Sequence, residues 1–271
     1  MHGLGPASGV GAAVLTALAL GLAGCGEDSE SSSGDSGSGS TAQSSEPIKV
    51  SAAASLTDAF ETYADEDFSD VDVAYSFAGS DELAAQIRQG AKPDVFASAS
   101  TTYPDELFDE GLVEEPVEFV TNEMVLGVPS DSDIDSIEDL AEPGVDVVLG
   151  TPDVPFGSYA REVLGRLPAG EEQAILDNVR SEESDVSAAV GKLSQDAADA
   201  SLVYTSDVAG ADGEIEGIEL PQELQPTVVY GVAVVSAAPN PEAAQAFVDG
   251  LGESEGQQIL TDAGFGPPPE E

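Results

Sequence analysis

The sequence predicts an α/β protein of two lobes, each a mixed sheet flanked by helices, with two strands crossing between the lobes. Beyond Pro47, short apolar runs alternate with amphipathic stretches, as βα units do. Two longer apolar segments, around Met124 and Val232, have the length and composition of strands that cross between two sheets. The chain of 271 residues is long enough to form two medium-sized units with apolar cores.

The elements follow from the apolar pattern in chain order. In the first half we expect strands at 48–54, 71–77 and 94–99, helices at 55–64, 80–89 and 104–110, and an extended segment at 117–129. In the second half we expect helices at 136–140, 156–167, 184–195, 241–251 and 255–263, and strands at 145–150, 200–204 and 227–235. This order predicts a first lobe of residues 47–126 and 232–271 and a second lobe of residues 127–231.

The N-terminus has the pattern of an export signal. An apolar run from Val10 to Ala23 is too short to span a bilayer comfortably and ends in Leu-Ala-Gly-Cys, with Cys25 the only cysteine. This resembles the lipobox of bacterial lipoproteins, which implies a signal peptide over 1–24 and lipidation of Cys25. Residues 25–46 are rich in serine, glycine and acids and predict a flexible tether. The alternative interpretation of Cys25 is a buried free thiol.

The charge of the chain limits its partners. With 53 acidic and 7 basic residues, the formal net charge is −46. The cations form no cluster, so we expect neither nucleic-acid binding nor electrostatic attachment to anionic lipid. Because the acids are spread through patterned segments, we favour adaptation to concentrated salt over a disordered acidic tail.

Two serines follow predicted strands and begin predicted helices. Ser55 follows the strand at 48–54, and Ser80 follows the strand at 71–77. A serine at a helix N-cap presents its hydroxyl beside backbone N–H groups that lack partners inside the helix. Two such helix ends facing each other would bind an anion without any charged side chain.

Several segments in register resemble one protein family. They are Ala52–Thr57, Ser76–Ser80 with Leu83–Ile87, Pro93–Ala99, Val154–Ala160, Leu202–Asp207 and Phe247 with Glu255–Leu260. Together they resemble the molybdate-binding proteins of ABC transporters, which have the type II periplasmic-binding-protein fold. The resemblance extends from about Ile48 to Phe265.

The resemblance implies a site, a ligand and partners. Five neutral donors would hold the oxyanion: the side chains of Ser55, Ser80 and Tyr204, and the backbone N–H groups of Phe156 and Val186. Phe156 stands where the family commonly has a smaller residue, which need not disturb a main-chain donor. The implied ligand is molybdate, and also tungstate, with no separate cofactor and no side chain bound directly to the metal. The implied protein is a monomer anchored through Cys25 to the outer face of the cell membrane, or periplasmic, which delivers molybdate to an ABC permease.

Other functions stay open at this point. The ligand could be another tetrahedral oxyanion such as sulfate, because the sequence does not show the cavity size. A hydrolase with a Ser-His-Asp triad is excluded, since His2 is the only histidine and lies in the predicted signal. A carboxylate-dependent hydrolase remains formally possible, although no acid pair stands out. A purely structural surface protein would show no stabilisation by ligand. We therefore predict a binding protein and not an enzyme.

Overall fold

The computed structural model describes residues 47–69 and 71–270. The predicted signal peptide at 1–24 and the predicted tether at 25–46, with the predicted lipidation site Cys25, lie outside these residues. Within the described part of the chain, no helix combines the length and apolar character needed to cross a membrane.

The first lobe is a five-stranded sheet with helices on both faces. Its strands are β1 (Ile48–Ala53), β2 (Val73–Ala78), β3 (Val95–Ser98), β4 (Val117–Asn122) and β10 (Val228–Val234), in the order β2-β1-β3-β10-β4. Its helices are α1 (Thr57–Glu66), α2 (Ser80–Arg88), α3 (Thr102–Asp109), α8 (Pro241–Leu251) and α9 (Ser254–Asp262). β1 pairs in parallel with β2 and β3, whereas β10 runs antiparallel to both neighbours.

The second lobe repeats this plan. Its strands are β5 (Met124–Pro129), β6 (Val147–Gly150), β7 (Val179–Glu183), β8 (Ala200–Tyr204) and β9 (Ile215–Glu219), in the order β7-β6-β8-β5-β9. Its helices are α4 (Pro155–Gly165), α5 (Ala169–Asp177), α6 (Val186–Leu193) and α7 (Thr205–Ala209). β5 is the antiparallel strand here, so in each lobe the antiparallel strand lies next to a crossing. Single 3-10 turns occur at Ala54–Leu56, Ile137–Ala141 and Gln222–Leu224.

The predicted two-lobed α/β class is confirmed, but the chain crosses between the sheets at different residues from those predicted. The first crossing is at Glu123, between β4 and β5, and the return crossing is at 220–227. The predicted boundary after residue 126 falls inside β5, and the one at 232 falls inside β10. The apolar pattern runs through both strands without a break, so it could not show where each strand changes sheets.

Apolar packing on both faces of the first sheet holds the strand ends that carry the site. Phe60 on α1 and Phe247 on α8 meet edge to face, with ring centroids 5.6 Å apart. On the other face, Leu83 on α2 belongs to a buried cluster with Phe96 and Leu107. Burial of each such side chain contributes roughly 1.5–3 kcal/mol, and together they hold α1 and α2 against the carboxyl ends of β1 and β2.

Candidate anion-binding site

A pocket between the two lobes brings together all five predicted site residues. Ser55 and Ser80 line it from the first lobe, and Phe156, Val186 and Tyr204 line it from the second. It encloses about 210 Å³ of empty space, including its opening. The pocket lies at the carboxyl ends of the parallel strands, where α/β sheets usually bind ligands.

The two serines reach the pocket from positions other than the predicted N-caps. Ser55 lies inside the 3-10 turn Ala54–Leu56, which precedes α1. Ser80 is the first residue of α2, and Gly79 is its N-cap. The prediction that both serines are helix N-caps is therefore wrong. Ser80 lies one residue after the N-cap of α2, and Ser55 lies within the 3-10 turn and not at the start of α1.

Ser80 is poised to donate a hydrogen bond into the pocket. Its side chain is buried, with 1% of its surface exposed. Its Oγ accepts a hydrogen bond from the Ala99 backbone N–H at 3.1 Å, which leaves the hydroxyl hydrogen for another acceptor. Because Ser80 is the first residue of α2, its own backbone N–H also has no acceptor within the helix.

The second lobe contributes two helix N-termini. Phe156 is the second residue of α4, and Val186 is the first residue of α6. N–H groups at these positions have no acceptor within their own helix. Pro155 begins α4 without losing a hydrogen bond, because its missing N–H would be unpaired there. Asp185 caps α6 by accepting from the Ala188 N–H at 2.9 Å. Four segments that begin helical turns thus point their partially positive ends at one space.

Tyr204 places a buried hydroxyl in the pocket. It is the last residue of β8, and only 1% of its surface is exposed. Among the described residues, its hydroxyl has no hydrogen-bond partner. Burial is the main cause, and the nearby Tyr230 the second, that raises the pKa of Tyr204 well above its usual value. The hydroxyl therefore stays a neutral donor at physiological pH. A buried hydroxyl without a partner costs roughly 1–3 kcal/mol, which a ligand acceptor would recover.

Three acidic side chains lie at or near the pocket. Glu82 is exposed and accepts from the Gln86 amide at 3.2 Å. The Asp185 carboxylate is occupied in capping α6. Asp81 differs from both, since it is half-buried and its Oδ1 has no partner among the described residues. No lysine or arginine is among the described residues that line the pocket.

The two lobes touch at the rim of the pocket. A Cβ atom placed on Gly79 would lie 2.4 Å from the Ser184 carbonyl oxygen of the other lobe. The Tyr103 hydroxyl, on α3, donates to the Asp153 carbonyl oxygen across the same gap. The lobes are therefore closed over the pocket, with backbone against backbone at Gly79.

Comparison with known proteins identifies the family. The family model described as bacterial extracellular solute-binding protein matches residues 48–266. The molybdate-binding protein ModA of Mycobacterium tuberculosis H37Rv is 37% identical over 233 residues, which cover 83% of this chain and 87% of ModA. The chain belongs to the bacterial extracellular solute-binding proteins. Its predicted resemblance to the molybdate-binding proteins of ABC transporters is confirmed, and its relatives are solute-binding proteins, not enzymes.

Solved structures show the same fold for this solute-binding protein. The periplasmic molybdate-binding protein of Azotobacter vinelandii matches with a TM-score of 0.74 at 19% identity, over 82% of this chain and all of that one. The sulfate-binding protein SubI of M. tuberculosis H37Rv matches with a TM-score of 0.67 at 18% identity, over 82% of this chain and 86% of that one. At these identities the likeness concerns the fold alone.

A half-buried carboxyl lies beside the site of this solute-binding protein. Asp207 on α7 accepts from the Tyr204 backbone N–H at 2.9 Å. Burial, partly offset by that hydrogen bond, raises the pKa of Asp207 to about 7, and Asp58 of the other lobe adds to the rise. Asp207 therefore changes charge near neutral pH.

Sequence reasoning missed two polar residues that support the site. Asn122, at the end of β4, donates to Tyr230 on β10 at 3.3 Å, and Tyr230 contacts Ser55 at 2.9 Å. Neither residue belongs to a segment that carried the family resemblance. Their only signal was a polar group within otherwise apolar strands. Within the described residues, no cluster of histidine, cysteine or acidic side chains could hold a metal ion.

Proposed function

We propose that this protein captures molybdate, and also tungstate, and delivers it to an ABC permease. The observation that carries the proposal is the buried Tyr204 hydroxyl, which has no hydrogen-bond partner among the described residues. Tyr204 lines one pocket with Ser55 and Ser80, and none of the described lining residues is basic. Hydrogen-bond donors supplied by fixed dipoles are suited to a small dianion that has no proton of its own to donate. The likeness to ModA supports molybdate as the ligand.

Isothermal titration calorimetry with molybdate, tungstate, sulfate and phosphate tests this proposal. We expect molybdate and tungstate to bind, and sulfate and phosphate to bind more weakly. Tyr204→Phe should weaken molybdate binding roughly ten- to hundredfold, the effect of losing a hydrogen bond to a charged acceptor. Tyr63→Phe is the matched control, because its buried hydroxyl donates to the Phe247 carbonyl at 3.2 Å, away from the pocket. Tighter binding of sulfate than of molybdate would favour the sulfate alternative. Absence of binding for all four anions would contradict oxyanion binding.

Export and lipid anchoring are part of the same proposal. Cleavage after residue 24 and lipidation of Cys25 would leave residues 25–46 as a tether for the two lobes. Metabolic labelling with a fatty-acid analogue in a bacterial host tests this, with Cys25→Ser as the control. We expect label on the wild-type protein and none on the variant. Equal labelling of both would contradict anchoring at Cys25.

We further propose that the protein is a monomer adapted to concentrated salt. Within the described residues, five arginine and lysine side chains form ion pairs, all at half-exposed or exposed positions, as in Arg88 with Glu106 and Arg180 with Asp146. Such pairs contribute little to stability and cannot offset a net charge of −46 at low salt. Sedimentation in molar salt should give a single species with the mass of one chain.

A further inference from the structure

The geometry points to Tyr230, held by Asn122, as a positioning residue that fixes Ser55 as a hydrogen-bond donor to the bound anion. A serine hydroxyl can donate or accept, and only donation stabilises an anion. The direction of the hydrogen bonds behind Ser55 therefore determines whether it contributes to affinity. This inference rests on the proposed function, since it concerns the same oxyanion site.

The side-chain amide of Asn122, which is buried at the end of β4, determines which groups donate in these hydrogen bonds. Its Oδ1 accepts from the Glu123 backbone N–H at 2.9 Å, which determines which way the amide points. Its Nδ2 then donates to the Ser206 Oγ at 2.9 Å and to the Tyr230 hydroxyl at 3.3 Å. Since Ser206 lies on α7 of the second lobe, the amide also joins the two lobes.

The next group in this series is the hydroxyl of Tyr230, which is fully buried on β10. Its hydroxyl oxygen accepts from Asn122, so its single hydrogen needs an acceptor. Apart from Asn122, the partner that meets hydrogen-bond geometry at this hydroxyl among the described residues is the Ser55 Oγ at 2.9 Å. A donor left unpaired in the interior is costly, so Tyr230 donates to Ser55.

Ser55 is thereby left with its own hydrogen free. The Ser55 Oγ accepts from Tyr230, and the residue lines the pocket. A hydroxyl that accepts one hydrogen bond donates another more strongly, because neighbouring hydrogen bonds polarise each other. The series from Asn122 through Tyr230 to Ser55 thus ends in a donor available to the anion.

A double-mutant cycle measured by titration calorimetry with molybdate tests this role. Tyr230→Phe should weaken binding roughly three- to tenfold, the range for one neutral hydrogen bond. In a Ser55→Ala background, the same substitution should change the affinity less than twofold, because Tyr230 acts through Ser55. Tyr63→Phe, which also removes a buried tyrosine hydroxyl in the first lobe, should leave the affinity unchanged in both backgrounds.

The outcomes separate this inference from the proposed function. If wild-type protein binds molybdate and Tyr230→Phe binds equally well, the inference is wrong while the function stands. Equal losses with and without the Ser55 hydroxyl would show a merely structural role and would also overturn it. If wild-type protein binds no anion, both fail. Should Tyr230→Phe not fold, Asn122→Ala replaces it in the cycle, and its effect on affinity should likewise disappear in the Ser55→Ala background.

Discussion

Gly79→Ala should prevent the lobes from closing without disturbing either lobe. The backbone at Gly79 has φ −61° and ψ 138°, which alanine adopts freely, so the first lobe should fold normally. The added Cβ would lie 2.4 Å from the Ser184 carbonyl oxygen, whereas real Cβ contacts are essentially never under 3.0 Å. The Ser184 oxygen and the new Cβ have no side-chain torsion that relieves this clash, so the lobes must separate by at least about 0.6 Å. The Cβ would also lie 2.7 Å from the Asp81 Oδ1 of the same lobe, where rotation of the Asp81 side chain relieves the contact.

The affinity loss follows from the position of the clash. Ser184 lies two residues before Val186, which lines the pocket and which we propose as a backbone donor to the anion. A displacement of this size lengthens a 2.9 Å hydrogen bond to about 3.5 Å, where little of its energy remains. Losing one hydrogen bond to a charged acceptor costs about 1.5–3 kcal/mol, which corresponds to roughly ten- to hundredfold weaker molybdate binding.

The assay combines titration calorimetry with small-angle X-ray scattering. Molybdate should reduce the radius of gyration of wild-type protein and reduce it less in Gly79→Ala. Gly165→Ala is the matched control, because a Cβ placed there meets nothing within 4 Å. Wild-type affinity in Gly79→Ala would refute the conclusion that the closed rim is part of the binding site.

Three further predictions concern the pocket, the half-buried carboxyl and the surface charge. Ser80→Ala should weaken molybdate binding roughly ten- to hundredfold in calorimetry, since it removes a donor to a charged acceptor, and an unchanged dissociation constant would contradict its role. The pKa of Asp207 rises from 3.8 to about 7 on folding, so its contribution to stability is present below pH 4 and lost as the pH rises to 7. Urea unfolding should therefore show Asp207→Asn gaining stability relative to wild type, by up to a few kcal/mol, between pH 4 and pH 8. A constant difference over that range would refute the raised pKa of Asp207. Finally, the melting temperature should fall as sodium chloride is lowered from molar to millimolar, because self-repulsion is then unscreened; no fall would contradict salt adaptation.

Elements with a strong apolar pattern could be predicted from the sequence, and three elements with a weak pattern could not. The predicted helix at 241–251 agrees with α8, and the strand at 200–204 agrees with β8. No such apolar pattern marks β7, which has the sequence Val-Arg-Ser-Glu-Glu, or β9, at the opposite edge of the same sheet. Helix α5 buries only Ile175, so its amphipathic pattern is weak.

The site was predictable only where short segments carry it. The family resemblance implied the positions of Ser55, Ser80, Phe156, Val186 and Tyr204, and the fold brings them to one pocket. The residues behind them are different in kind. Tyr230 and Asn122 are 108 positions apart in the chain and meet only because β10 pairs with β4. No local pattern in the sequence encodes that pairing.

Anomalous diffraction at the molybdenum absorption edge, from crystals grown with molybdate, tests the central claim most directly. We expect one strong peak between Ser55 and Ser80 of the first lobe and Tyr204 of the second. The N–H groups of Phe156 and Val186 should be directed at the anion. In Tyr204→Phe crystals at limiting molybdate, that peak should weaken. A peak elsewhere, or an empty pocket in crystals saturated with molybdate, would contradict the account.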